Sequence, residues 1–408
     1  MKQTNIYKVL ALIVMLAMAH GALAQNRRSK EFVGNMQKYE QRYKEFMRQG
    51  RYREALPPLD TLINTLDTTM IYQDAEANIS QEYLRQGKAF YRYDKACILA
   101  LTGKKKQALA ALEQSVNDGY KDYVNMLNDN DLASLRKDKK FQTLLVVVAG
   151  RSSLGVLRKS APYGKEEGKE PPFSYQSPES KTLRMVREYF NLDSVAGTGD
   201  ELSKIINLLH FAHDNMEHDG AHRAFVEMDA IDLYNYCKAT GRGINCRQLA
   251  ISLCEMYLAM GMPARYVTCM PADPRDTECH VINSVWSSQL GKWLYIDPTM
   301  DAWVMDENGT MLSIAEVRQR LIDGSPLVLC ETANWNHEIP QTKEHYLEQY
   351  MAKNLYYFDC IKASRFNPES DYRGFDQSAY IKLVPVGFVG GVSISESTTD
   401  AELFWAEP

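Results

Sequence analysis

The sequence predicts an α+β architecture, with an all-helical region first and then a core in which one helix packs on an antiparallel sheet. Three observations predict it. Residues from about 31 to 150 read as helices, with no proline between Pro58 and Pro162. A polar, proline-bearing stretch then interrupts the pattern. Beyond it, helix-period apolar residues from Cys246 to Met260 give way to strand-like runs that turn at Ser287 to Gly291.

In chain order, Met1 to Ala24 carries Lys2 and Lys8, an apolar run from Val9 to Ala19, and then Ala22-Leu-Ala24. That is the pattern of a secretory signal peptide, too short for a membrane span, and it predicts a periplasmic or secreted protein. Gln25 stands where a lipid-anchored protein needs cysteine. The net charge of −5 becomes more negative without the leader's lysines. Nucleic acid and anionic membrane surfaces are therefore poor partners.

Two similar units lie within 25–149. Tyr43 to Leu56 and Tyr93 to Leu109 each read as helix, glycine-centred turn and helix, with Ala55, Ala96 and Ala108 at close-approach positions. This resembles the tetratricopeptide repeat, and the resemblance implies either a groove for a peptide or partner protein or a helical spacer. The spacing from Ala55 to Ala108 exceeds the usual repeat, so an extra helix near Ile79 to Arg85 is expected. The basic runs Lys104 to Lys106 and Arg136 to Lys140 read as solvated faces.

Residues 150–181, with Lys165-Glu-Glu-Gly-Lys-Glu-Pro-Pro, read as a linker. The catalytic domain is then expected over 182–330 and a C-terminal extension completing it over 331–408. Thr182 to Leu192, Glu201 to His213 and Ala230 to Thr240 are helix-like. His210, His213, His218 and His222 invite a metal reading, but only His210 and His213 share a helical face and no acidic or cysteine ligand recurs with them, so no metal or cofactor is expected. The turn at His218-Asp-Gly220 is placed at the mouth of a cleft.

Cys246 is the residue the chemistry turns on. It opens a helix whose apolar positions are Leu249, Leu253, Met256, Tyr257 and Met260, and Gly261 with Pro263 stops it. At a helix's first turn, unpaired N–H groups and the positive end of the dipole favour thiolate over thiol. A nucleophile needs a base and the base an orienter. His280 opens one strand-like run and Asp297 closes the next, and the turn between them brings the two together.

Gly243 to Ala250 with Gly261-Met-Pro-Ala-Arg265, His280 with Trp286, and Tyr295-Ile-Asp297-Pro-Thr299 together resemble the transglutaminase-like superfamily of papain-like cysteine enzymes. The resemblance covers roughly 200 to 320. It implies Cys246 as nucleophile, His280 as general base and acid, and Asp297 as the residue holding the imidazole. The chain departs from the pattern at Ile244, where many members have glycine, and at Ile282, where many have tryptophan; the second oxyanion donor and the substrate groove stay open. The implied activity is acyl transfer through a thioester, a peptidase or amidase acting on a peptide, protein or other amide. A cross-linking transglutaminase and a non-catalytic peptide- or glycan-binding protein are the alternatives.

Of the remaining cysteines, Cys97, Cys254 and Cys269 read as small buried hydrophobes, and no CxxC pair suggests zinc. Ser313 with Glu316 reads as a capping box opening a helix to Leu321. A further helix runs through Tyr346 to Tyr350, and Ile381 to Val389, Val392 to Ser395 and Leu403 to Trp405 read as strands.

Overall fold

Apolar spacing at the helical period and two glycine turns build the first part of the chain. The computed structural model describes residues 27–72, 81–274, 276–370, 376–388 and 396–408. The leader reading of 1–24 and the strand reading of 392–395 lie outside them. The chain divides into two compact units, one ending at Ser152 and one beginning at Ser153.

Among the described residues the first unit has helices and no strand: α1 Arg27–Arg48, α2 Tyr52–Tyr72, α3 Gln81–Leu101, α4 Lys105–Asn117, α5 Tyr123–Asn128 and α6 Lys139–Ala149. Gly50 and Gly103, at φ of 72° and 78°, make the turns from α1 to α2 and from α3 to α4. A side chain rarely adopts that region, so glycine belongs there. Ala55, Ala96 and Ala108 are fully buried and let the helices approach. Of the extra helix expected near Ile79 to Arg85, the described residues Gln81 to Arg85 are the first turn of α3, which runs unbroken to Leu101. No glycine or proline falls after Gly87 to divide it.

The expected linker is structure. In the second unit, α7 (Ser153–Leu157) buries Leu157 completely, Arg158 Nε donates to the Leu321 carbonyl at 3.0 Å, and β1 (Ser174–Tyr175) pairs in parallel with Ala363–Ser364. The charged run at Lys165 to Glu170 dominates the local composition, but Leu154, Leu157, Tyr163 and Phe173 around it are apolar enough to seal a core.

The helices α8 (Lys181–Tyr189), α9 (Leu192–Ala196), α10 (Glu201–Asn215) and α11 (Ala230–Thr240) precede α12 (Cys246–Ala259). Then come β2 (Ala264–Met270), β3 (His280–Ser287), β4 (Lys292–Asp297), β5 (Ala302–Met305), α13 (Ile314–Asp323), β6 (Val328–Leu329), β7 (Asn334–Trp335) and β8 (Ile339–Pro340). A π-helical segment Glu344–Met351, α14 (Ala352–Asn354), β9 (Tyr357–Ile361), β10 (Ala363–Ser364), β11 (Tyr380–Leu383), β12 (Glu396–Thr398) and α15 (Ala401–Phe404) complete the described chain. Leu403 and Phe404 are helical, not extended, because Asp400 accepts the N–H groups of Glu402 and Leu403 and so caps a helix.

Eight strands form one sheet in the order β12-β11-β9-β2-β3-β4-β5-β6. Side chains alternate across it. Tyr266, Val281 and Leu294 enter the core shared with α8, α10, α11 and α12, whereas Val267, Ile282 and Tyr295 enter a second core with Tyr346 and Leu347. Arg265, nearly fully buried, lies 3.8 Å from the Phe173 ring centre and 4.2 Å from that of Trp293, and donates to the carbonyls of Phe404 and Ala406. Its role is structural: it binds the chain's last helix to β2. No helix among the described residues is long and apolar enough to cross a membrane.

Candidate active site

Asn245 starts α12. Its side chain accepts the Gln248 N–H at 3.1 Å, which leaves Cys246 as the first helical residue. The preceding loop is fixed by a close backbone approach: Ile244 N–H donates to the Glu217 carbonyl at 2.9 Å and the Asp219 N–H to Ile244 O at 2.8 Å. A Cβ on Gly243 would lie 2.8 Å from the Glu217 oxygen, so only glycine fits. Ile244, the departure from the family pattern, is fully buried beside this contact. Gln248, also fully buried, exchanges two hydrogen bonds with the Ala224 backbone and holds the next loop against α12.

β3 and β4 pair antiparallel, with Asn283 opposite Ile296. Continuing that register sets Asp297 opposite Ile282, so His280 lies on the same face two residues along. His280 Nε2 is 2.7 Å from Asp297 Oδ2. Tyr346 Oη donates to the same oxygen at 2.6 Å, and the Thr299 N–H donates to Oδ1 at 2.9 Å. Burial works against ionisation of Asp297, but His280 and these donors outweigh it and hold the carboxyl below its usual range. Burial likewise works against the imidazolium of His280, and Asp297 overrides it, so that pKa is raised well above the ordinary value. With Nε2–H committed to Asp297, Nδ1 is the ring nitrogen left to meet the Cys246 thiol. The Tyr350 ring closes over the imidazole at 5.2 Å.

Cys246 faces this pair. Burial alone would raise its thiol, but hydrogen bonding first with His218 and then with His280, followed by the charge of the His280 ring, brings it down to about 5. Burial raises every other cysteine: Cys97, Cys237, Cys254, Cys269, Cys279, Cys330 and Cys360. Cys279 is instructive. It neighbours His280 in sequence, yet its thiol goes up, by burial and then by the charge of Cys246. All eight cysteines are free.

Cys246, His280 and Asp297, expected together from the sequence, are brought together. Two residues were not foreseen in their positions. Tyr346 comes from the π-helical segment and would need a partner for its buried hydroxyl, but nothing in its spacing names Asp297. His218, expected only near a cleft mouth, pairs through its backbone with Ile244, two residues before Cys246, and its ring acts on the Cys246 thiol. The other three histidines have separate partners: His210 bonds Asp301 at 2.6 Å, His213 bonds the Pro298 carbonyl at 2.9 Å, and His222 bonds Tyr236. Among the described residues, Cys97, Asp129 and Asp131 do come close enough to share a metal ion, but Asp129 already caps the turn at Asn130 and accepts from Tyr93.

A helix-start cysteine opposed by a histidine and aspartate on a neighbouring hairpin has the arrangement of the papain-like cysteine enzymes. Residues 189–298 match the family model of the transglutaminase-like superfamily, and the chain carries a transglutaminase-like core there behind its all-helical region. That superfamily is typically one of cysteine-dependent acyltransferases or hydrolases. The chain is also similar to a chloroplastic protein of Arabidopsis thaliana, 29% identical over 101 residues, which is 25% of this chain and 25% of that protein. The similarity therefore spans about a quarter of either length. No solved structure matches.

Proposed function

We propose that Cys246, His280 and Asp297 work as a catalytic triad and that the chain is a cysteine-dependent peptidase or amidase. The observation that carries this reading is a half-buried thiol held at about 5 beside an imidazole whose far nitrogen is fixed, 2.7 Å away, by a buried carboxylate. The Cys246 thiolate attacks the substrate carbonyl carbon, an S–C bond forms, and the carbonyl π electrons move onto oxygen. As the intermediate collapses the C–N bond breaks, and the leaving amine takes the proton on His280 Nδ1. A thioester remains. Water, giving a proton back to Nδ1, attacks it and releases the acid. Asp297 stays ionised throughout and keeps His280 in the orientation that points Nδ1 at sulfur.

The substrate class is a peptide, a protein or another amide. The leader pattern of Met1 to Ala24 supports an exported enzyme, and the helical unit supports a docking role for a protein partner. The test is mass spectrometry of a peptide mixture incubated with the protein, with and without cadaverine as an amine acceptor. New hydrolytic termini or deamidation, absent with Cys246→Ala and His280→Ala, is the expected result. Cadaverine incorporation in place of hydrolysis would replace the peptidase by a cross-linking enzyme. Turnover undiminished in Cys246→Ala would sink the triad and move attention to the helical unit.

A further inference from the structure

Resting on that reading, we infer that His218 is a fourth catalytic residue, a neutral imidazole whose Nε2–H donates to the Cys246 sulfur and then to the carbonyl oxygen as negative charge develops on it. The tautomer follows from its neighbour. Trp335 Nε1 lies 2.9 Å from His218 Nδ1, and an indole nitrogen only donates. Nδ1 must therefore be the bare, accepting nitrogen, and the proton of the neutral ring resides on Nε2.

The His218 backbone is also held on two sides. Asn336 grips the His218 backbone twice: its Oδ1 accepts the His218 N–H at 2.8 Å and its Nδ2 donates to the His218 carbonyl at 2.9 Å. His218 forms a parallel bridge with Ile244, two residues before the nucleophile. Gly220 leaves room for the imidazole, since a Cβ there would come within 3.2 Å of Cε1. Trp335 and Asn336 are positioning residues. They belong to the β7–β8 hairpin, where Asn336 and His337 take positive φ, and that hairpin is tied to the segment after Asp297 by the Asn334 N–H donating to the Met300 carbonyl at 2.8 Å. The hairpin lies beyond residue 298, outside the stretch that matches the family model. A donor fixed in advance stabilises an oxyanion without reorganising when the charge appears.

Two electrophiles with the same nucleophile separate this role from simple activation of the thiol. p-Nitrophenyl acetate acylates Cys246 through an oxyanion: the S–C bond forms, charge moves to oxygen, and collapse expels p-nitrophenolate. Iodoacetamide alkylates the same thiolate by displacing iodide, with no oxyanion. At pH 8, His218→Ala is expected to slow acylation by about 100- to 1000-fold while alkylation stays within about threefold of wild type. His218→Gln, which keeps an N–H donor, should recover at least about tenfold of that loss, and Trp335→Phe, which frees the tautomer, should slow acylation alone by about tenfold. Equal slowing of both reactions in His218→Ala would overturn the oxyanion role, and no slowing of either would leave His218 a structural residue. The underlying triad fails separately, if wild-type Cys246 reacts with neither reagent faster than free cysteine or if Cys246→Ala releases p-nitrophenolate as fast as wild type.

Discussion

Two histidines flank the same sulfur, and their far nitrogens meet opposite chemistry. His280 gives its far N–H to the carboxylate of Asp297, buried with it, and its pKa is raised well above normal. His218 Nδ1 accepts a hydrogen bond from the Trp335 indole. The first arrangement stabilises an imidazolium, which in the proposed mechanism releases a proton to the leaving group. The second keeps the ring a donor through one defined nitrogen. The side chain is the same in both, so the partner on the nitrogen away from the reaction decides the role.

The largest effect should come from removing what both rings serve: Cys246→Ala is expected to lower acyl transfer by about 10⁴-fold or more, read as steady-state amide hydrolysis. Asp297→Asn replaces the acceptor at Nε2 with an amide that can donate, so the ring loses its tautomer preference, and a loss of about 10³- to 10⁴-fold in kcat is expected. If that change costs less than tenfold, the contrast drawn between the two histidines is wrong. Tyr346→Phe removes one of three donors to the Asp297 carboxylate. Activity should fall by about tenfold, with a loss of about 1–2 kcal/mol in urea unfolding. The pH dependence sharpens the comparison further. Iodoacetamide labelling of Cys246 should rise with pH through a midpoint near 5, because the thiolate reacts and its pKa is held at about 5. In His280→Asn the imidazolium is gone and the midpoint should move upward, toward the about 8.5 of a free thiol. An unmoved midpoint would mean that His218 alone holds the thiolate.

The proposed triad could be read from the sequence because its parts lie at element boundaries that local chemistry marks. The apolar spacing from Leu249 to Met260 and the stop at Gly261 and Pro263 mark the helix that Cys246 opens. The turn at Ser287 to Gly291 forces β3 and β4 together, and the period of two then puts His280 and Asp297 on one face. The segment at 150–181 misled for the reverse reason. Its charged middle is exposed loop, but its apolar residues are scattered, and only the completed core shows that Leu157 and Phe173 are needed to seal it. The same holds for Leu403 and Phe404, whose apolar run fits a strand or a helix equally until Asp400 is seen to cap it.

By itself the sequence determined the helical first region, the helix that begins at Cys246, and the hairpin that carries its histidine and aspartate. Each rests on residues close along the chain, whose spacing and caps act locally. Tertiary structure alone decided which histidine of four meets the sulfur, which hydroxyl supports Asp297, and which nitrogen of His218 bears the proton. Those depend on Trp335, Asn336 and Tyr346, 49 to 118 residues from the groups they touch. No period or motif links them, because a hydrogen bond across a core is specified only when both elements are packed.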